Sequence, residues 1–157
     1  MIPLKRHAMG AAAGSAALLV GALAFQYLGG LAPCHLCLLQ RWPHALAVLI
    51  GLLILVLPRR GLALVAGLAL LVGAGIAAYH VGVEQHWWAG PTSCTAPKPG
   101  SQSAADLLKQ IEATPVVACD QIAWSLAGIS MAGWNLLASL ALAVLWLRAY
   151  ASSSASQ

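Results

Sequence analysis

The stretch "LLQRWPHALAVLIGLLILVLPRRGLALVAGLALLVGAGIAAYHVGV", Leu38 to Val83, holds two long apolar runs joined by a short basic turn. Each run has close to the roughly 20 residues that an α-helix needs to cross a bilayer. The turn, Pro58 to Gly61, is too short to join anything but antiparallel neighbours. The stretch therefore predicts a transmembrane helical hairpin.

Two further apolar runs, residues 8–28 and 122–147, flank this hairpin. The chain has 157 residues, of which 61% are hydrophobic and 8% charged, too few polar residues to cover a water-facing surface. A cleaved signal peptide is the alternative for the first run, because Lys5 and Arg6 precede it. That run is longer than a usual signal core, and the next span needs it as an antiparallel neighbour. Both flanking runs are therefore predicted to be membrane spans.

We predict an all-α membrane protein, a four-transmembrane-helix antiparallel bundle. Residues 1–150 form a single integral membrane domain, with spans at about 8–28, 38–57, 62–83 and 122–147 and outward loops at about 29–37 and 84–121. Residues 151–157 are expected to be a disordered cytoplasmic tail.

The basic residues predict the orientation of the bundle. Five of them fall on one side of a four-span arrangement: Lys5, Arg6, Arg59, Arg60 and Arg148. All four acidic residues fall on the other side, with Arg41, Lys98 and Lys109. An excess of basic residues marks the cytoplasmic side, so both termini are expected inside and both cysteine-bearing loops outside. The positive net charge thus reflects topology and does not suggest nucleic-acid binding.

Tryptophan and tyrosine residues near the predicted span ends are typical of interfacial anchors, and ligand contact is the alternative interpretation. They are Trp87, Trp88 and Trp124 at the outer boundary, and Trp146 and Tyr150 at the inner one.

The second outward loop contains a helical pattern. Ser103 and Asp106 match a capping signature, and Ala104, Leu107, Leu108 and Ile111 share one helical face. We predict a short amphipathic helix lying in the membrane interface, with a loop helix packed on protein as the alternative.

Four cysteines, Cys34, Cys37, Cys94 and Cys119, lie on the outward side, where oxidised thiols persist. Static structural disulfides are one interpretation, although a three-residue spacing closes too small a loop to stabilise much. A zinc site is a second, but the wide separation of the later pair argues against it, so no metal is expected. Thiol–disulfide exchange is favoured, because a Cys-x-x-Cys pair at a helix start favours the thiolate and Arg41 lies one turn beyond Cys37.

The arrangement of motifs resembles a known family. "CHLCLLQRW" leads the second span, "YHVGVEQHWW" ends the third, and "GPTSC" and "CDQIAWSLAGISMAGWN" surround the later cysteines. Over nearly the whole chain this order is similar to the disulfide bond formation protein B (DsbB) family, membrane thiol oxidases of bacteria. The vitamin K epoxide reductase family is a more distant alternative, because its Cys-x-x-Cys pair follows the loop pair instead of preceding it.

The resemblance implies a quinone-dependent thiol oxidase of the bacterial inner membrane with its cysteines facing the periplasm. A reduced periplasmic DsbA-like thioredoxin-fold partner would attack a Cys94–Cys119 disulfide. Electrons would pass to Cys34 and Cys37 and then to the membrane quinone pool, ubiquinone or menaquinone. A non-catalytic membrane protein with structural disulfides remains the alternative function.

The resemblance also implies roles for single residues near the quinone. Cys37 would contact the quinone ring, Cys34 would exchange with Cys119, and Arg41 would stabilise the thiolate and the developing oxyanion. His80 is the candidate quinone-associated histidine, although the sequence does not separate it from His86. No chemistry is assigned to Gln40 or His44, which share this neighbourhood.

Overall fold

The computed structural model describes residues 2–91 and 118–152, and within them the chain forms four α-helices and one β-hairpin. The helices are α1 (Ile2–Tyr27), α2 (His35–Val56), α3 (Arg60–Glu84) and α4 (Met131–Ser152). All four are long and apolar enough to cross a membrane. The predicted fold class, an all-α membrane protein with four spans, is confirmed.

The helices form a closed ring of neighbours. Helix α1 packs against α2 and α4, and α3 packs against the same two helices, with the α3–α4 interface the most extensive. The predicted interfacial helix over residues 103–112, Cys94 and the tail at 153–157 lie outside the described residues.

Small residues set the closest helix contacts. Gly51 on α2 lies directly against the methyl group of Ala12 on α1, and a Cβ at Gly73 on α3 would lie 3.0 Å from the Pro43 Cβ. In lipid there is no hydrophobic drive between helices, so close backbone approach supplies the packing energy. The residues that close the bundle are therefore small by necessity.

Helix α4 begins at Met131 and not at the predicted Ile122. A two-residue turn at Ala127 and Gly128, with φ values of 51° and 77°, instead joins two short strands, β1 (Ser125–Leu126) and β2 (Ile129–Ser130). Positive φ at both turn positions is typical of a tight hairpin turn. The hydrophobicity of this segment hid the hairpin, because apolar composition alone does not distinguish a helix from a short strand.

Ser130 fixes the start of α4. Its hydroxyl oxygen accepts a hydrogen bond from the Gly133 N–H at 3.1 Å, satisfying one of the free donors of the first helical turn.

The end of the bundle where α1 begins and α4 ends has an apolar core. Trp146 is fully buried there, against Gly67, so its predicted role as an interfacial anchor is wrong. Tyr150 packs against the same core, with the Arg60 guanidinium 5.8 Å from its ring centroid. Trp87 and Trp88 are exposed.

We expect Gly51→Val to destabilise the bundle by about 1–3 kcal/mol, the scale of overpacking, because the new side chain must displace α1 at Ala12. Thermal unfolding in detergent measures the loss. Gly75→Val is the matched control, since Gly75 is exposed on α3 with nothing within 4 Å of its would-be Cβ. Equal losses in the two variants would contradict the packing argument.

Candidate functional site

The Cys-x-x-Cys pair forms the start of α2. Cys34 is the N-cap residue, and its Sγ accepts a hydrogen bond from the Cys37 N–H at 3.2 Å. The spacing of three places Cys37 at the position whose N–H an N-cap side chain normally satisfies. The same spacing brings the two sulfurs within 2.8 Å at the positive end of the helix dipole.

The two thiols of this pair are not equivalent. Cys34 is buried, whereas Cys37 is half-buried. The hydrogen bond to the Cys37 sulfur, together with burial, raises the pKa of the Cys34 thiol. Cys34 therefore stays protonated, and its S–H group donates a hydrogen bond to the Cys37 sulfur. This leaves Cys37 as the better nucleophile.

His80, on the last turns of α3, lies beside this pair. Its Nε2 is 3.6 Å from Cys34 Sγ, and its Nδ1 is 2.9 Å from the Gln40 side-chain nitrogen. His86 is exposed beyond the end of α3, with a φ of 59°. Of the two candidate histidines, the fold brings His80 to the cysteines.

Glu84, one turn beyond His80, connects the site to α4. Its Oε1 lies 4.0 Å from His80 Nε2, and its Oε2 accepts a hydrogen bond from the Ser130 hydroxyl at 2.5 Å. The N-cap residue of α4 thus also holds the carboxylate at the end of α3. A buried carboxyl with a hydrogen-bond donor is tolerated where an unpaired one would be costly.

Cys119 reaches the same site from the second outward loop. It is fully buried and belongs to the same cluster as Cys34, Leu36 and Val83. Its backbone is a hydrogen-bond partner of the His80 imidazole. One cysteine of the later pair therefore packs at the Cys-x-x-Cys pair.

A largely apolar cavity of about 240 Å³ opens beside these cysteines. Trp124 forms part of one wall, and its ring packs at a tilt against that of Phe25, with 5.1 Å between the ring centroids. The polar groups that line the cavity include Cys34, Cys37, Gln40, Arg41, His80 and Asn135.

Arg41 is held at this cavity by α1. Its Nη1 donates to Gln26 Oε1 at 2.7 Å, and its Nη2 lies 3.5 Å from the Ala22 carbonyl oxygen. Within residues 2–91 and 118–152 no carboxylate forms an ion pair with Arg41. Its charge is therefore available to the cavity.

A layer of polar side chains lies inside the bundle next to the cysteines, and the sequence indicated no role for most of them. Three pairs in it are spaced by four residues, so that both members share one helical face: Gln40 and His44, His80 and Glu84, and Asn135 and Ser139. That spacing of polar residues inside or beside apolar runs is a signal that could have found them, because polar groups in a bilayer usually face the bundle interior.

The site also has ligand atoms that suit a soft metal ion. The sulfurs of Cys34 and Cys37 and a ring nitrogen of His80 lie within 4.8 Å of one another. Thiolate and imidazole are zinc ligands, but the same groups serve a redox dithiol with an adjacent hydrogen-bonding histidine.

The fold and the site define a multi-pass helical membrane protein with a buried redox-type cysteine cluster. The family model "Disulfide bond formation protein DsbB" matches residues 5–149. The chain therefore belongs to the DsbB family, as its motifs predicted. Its role is accordingly that of an oxidoreductase in disulfide bond formation, with exchange partners that carry thiols or disulfides.

Curated relatives agree with this membership. The chain is 31% identical over 140 residues to disulfide bond formation protein B of Azoarcus sp. strain BH72, covering 84% of each chain. It is 34% identical over 131 residues to the protein of the same name from Dechloromonas aromatica strain RCB, covering 79% of this chain and 78% of the relative. No solved structure matches the chain.

The inequality of the two thiols has a measurable consequence. In the reduced protein at pH 8 we expect iodoacetamide to label Cys37 before Cys34, because the raised pKa keeps Cys34 protonated through this range. Mass spectrometry of the labelled peptides gives the order. Cys37→Ala removes the sulfur that holds the Cys34 proton, so Cys34 should then label faster than in the parent. Labelling of Cys34 first in the parent would contradict the assignment.

Proposed function

We propose that this protein is a protein-dithiol:quinone oxidoreductase that reoxidises a periplasmic DsbA-like thioredoxin-fold protein and passes the electrons to membrane quinone, ubiquinone or menaquinone. The observation that carries the proposal is one cavity lined by the Cys34–Cys37 pair, Arg41 and His80, with Cys119 packed at the same pair. Membership of the family supports it.

The residues of this cavity fit a quinone ring. Its walls are mainly apolar side chains of α1 and Trp124, while Arg41 and His80 are groups that can hydrogen-bond to a carbonyl oxygen. A volume of about 240 Å³ is below the roughly 300–1,000 Å³ of sites that enclose a whole drug-sized ligand, which suits a ring with its tail left in lipid. A quinone bound there would accept the two electrons and two protons that the dithiol releases when the Cys34–Cys37 bond forms.

The residues of the chain have distinct parts in this proposal. Cys37 supplies the more reactive sulfur, because the proton between the two sulfurs belongs to Cys34. Arg41 supplies a positive charge for the thiolate and for an oxyanion. His80 supplies a hydrogen-bonding nitrogen beside Cys34.

The relay between the two cysteine pairs is balanced exchange. A thiolate of the reduced partner attacks the Cys94–Cys119 disulfide and forms a mixed disulfide with this chain. The partner's second thiol then attacks the mixed disulfide, so the partner leaves with an internal disulfide and Cys94 and Cys119 become thiols. Cys119, as thiolate, attacks Cys34 of the Cys34–Cys37 disulfide, and Cys94 resolves the mixed bond. Each transfer moves two electrons and two protons. The burial of Cys119 beside Cys34 supports this order.

The proposed location is the bacterial inner membrane, with both termini cytoplasmic and the cysteines periplasmic. The five basic residues near the termini and in the α2–α3 turn support it.

Quinone-dependent oxidation of a reduced thioredoxin-fold protein by the purified chain tests the proposal. We expect Arg41→Met to lower kcat/KM for quinone by an amount equivalent to about 1–3 kcal/mol, the scale of one charge-assisted contact. Arg148→Met, which removes an exposed charge at the far end of α4, is the matched control and should react as the parent does. Unchanged kinetics in Arg41→Met would contradict a role in quinone reduction and would leave Arg41 only as an anchor to lipid or to a neighbouring helix.

A second prediction concerns the later cysteine pair, Cys94 and Cys119. Cys94 lies in the segment "PTSCTAPKPG", and a sequence rich in proline and glycine suits contact with a partner. Mixing Cys119→Ser with an activated partner should therefore accumulate a Cys94–partner disulfide, because the resolving thiol is missing. Non-reducing electrophoresis detects it. Trapping through Cys119 in Cys94→Ser, with none at Cys94, would reverse the two assignments.

A further inference from the structure

A continuous hydrogen-bonded chain runs from the cysteines into the middle of the bundle. From His80 it passes to Gln40 on α2, then to Asn135 on α4, then to His44 on α2 and Ser15 on α1. All of these side chains are buried except Asn135, which is half-buried. The chain therefore connects all four helices inside the bundle.

The direction of the hydrogen bonds near the cysteines follows from the two amides. Asn135 Nδ2 donates to Gln40 Oε1 at 2.6 Å, which turns the Gln40 nitrogen towards His80 Nδ1 at 2.9 Å. An amide nitrogen only donates, so His80 Nδ1 accepts. A neutral His80 must then carry its proton on Nε2, the nitrogen that lies 3.6 Å from Cys34 Sγ.

The far end of the chain has the same direction. The Asn135 oxygen only accepts, so His44 Nε2, at 3.1 Å, donates to it. His44 Nδ1 is then free to accept from the Ser15 hydroxyl at 3.3 Å. Every bond from Ser15 to His80 thus points towards the cysteines, an arrangement in which successive bonds strengthen one another.

We propose that Asn135 is a positioning residue that, through Gln40, holds His80 in the Nε2–H tautomer facing the cysteine pair. Asn135 fixes which end of the Gln40 amide meets His80, and that end decides which ring nitrogen carries the proton. In this form His80 is a hydrogen-bond donor to sulfur or to a bound acceptor, and it is not poised as a base at Nε2. The meaning of this tautomer for catalysis rests on the proposed function; the tautomer itself does not.

Two local groups could set the tautomer without this chain: the Cys119 backbone, which is a hydrogen-bond partner of the His80 imidazole, and the Glu84 side chain. The Glu84 carboxyl, 4.0 Å from His80 Nε2, also favours a proton on that nitrogen. The two explanations differ in what Asn135 does. If Glu84 or the Cys119 backbone decides, removing the Asn135 amide leaves His80 unchanged. If the amide chain decides, Gln40 becomes free to turn its oxygen towards Nδ1, and His80 populates the Nδ1–H form.

The experiment is ¹⁵N NMR of histidine-labelled, reduced protein in detergent without quinone. The chain has five histidines, so the His80 signals are assigned by their loss in His80→Gln. We expect the unmodified protein to show Nε2 as the protonated and Nδ1 as the unprotonated nitrogen. The opposite pattern would overturn the proposal without any further variant.

The variant Asn135→Leu should shift the His80 Nε2 signal towards the unprotonated position and the Nδ1 signal the opposite way. Gln40→Leu, which removes the middle amide, should do the same and serves if the first variant does not fold. Ser139→Ala is the matched control, because Ser139 lies one turn along α4 and contacts His44 but not Gln40. A pure Nε2–H pattern in both leucine variants would assign the tautomer to the local neighbours Glu84 and Cys119 and would contradict the proposal.

Activity separates this inference from the function on which it rests. If the chain oxidises thiols with quinone, Asn135→Leu and Gln40→Leu should slow the quinone step to a similar extent, and the double variant should be no slower than either single one. Additive losses would contradict a shared path through His80. Absence of quinone activity in the parent would refute the proposed function and leave the tautomer result standing.

Discussion

The hydrogen bond from the Cys37 N–H to Cys34 Sγ is the interaction on which the site depends. It starts α2 at the residue that carries the first sulfur, and it places the second sulfur one turn further along the same helix. A helix start at that point satisfies a backbone donor that lipid would leave unpaired. Redox chemistry and helix capping thus use the same atom, which is why the dithiol lies at the boundary of the bundle.

The other parts of the site come from helix ends that are distant in sequence. Glu84 ends α3 and Ser130 caps α4, and the short bond between them joins these ends beside the cysteines. His80 is carried there by the same turns of α3, and Cys119 fills the space beside Cys34. The end of the bundle opposite the termini is thus held by polar contacts, whereas the core at the other end consists of hydrophobic side chains and is closed by small residues.

The polar layer between these two ends has an energetic consequence. Buried amides, imidazoles and hydroxyls in a bilayer are costly unless each has a partner, and in this bundle the partners come from all four helices. The layer therefore specifies how each helix is rotated about its own axis. Apolar contacts alone would allow several rotations, since the faces of α1 and α4 differ little in hydrophobicity.

The sequence by itself determined the presence of four membrane-spanning helices, the Cys-x-x-Cys pair and the family, because apolar runs and a Cys-x-x-Cys spacing are local features that need no partner to be recognised. Only the tertiary structure decided that His80 and not His86 meets Cys34, that Asn135 bonds to Gln40, and that Trp146 is buried. These facts depend on the rotation of one helix against another. That rotation is set by close contacts such as Gly51 on Ala12 and by the polar layer, which join residues far apart along the chain.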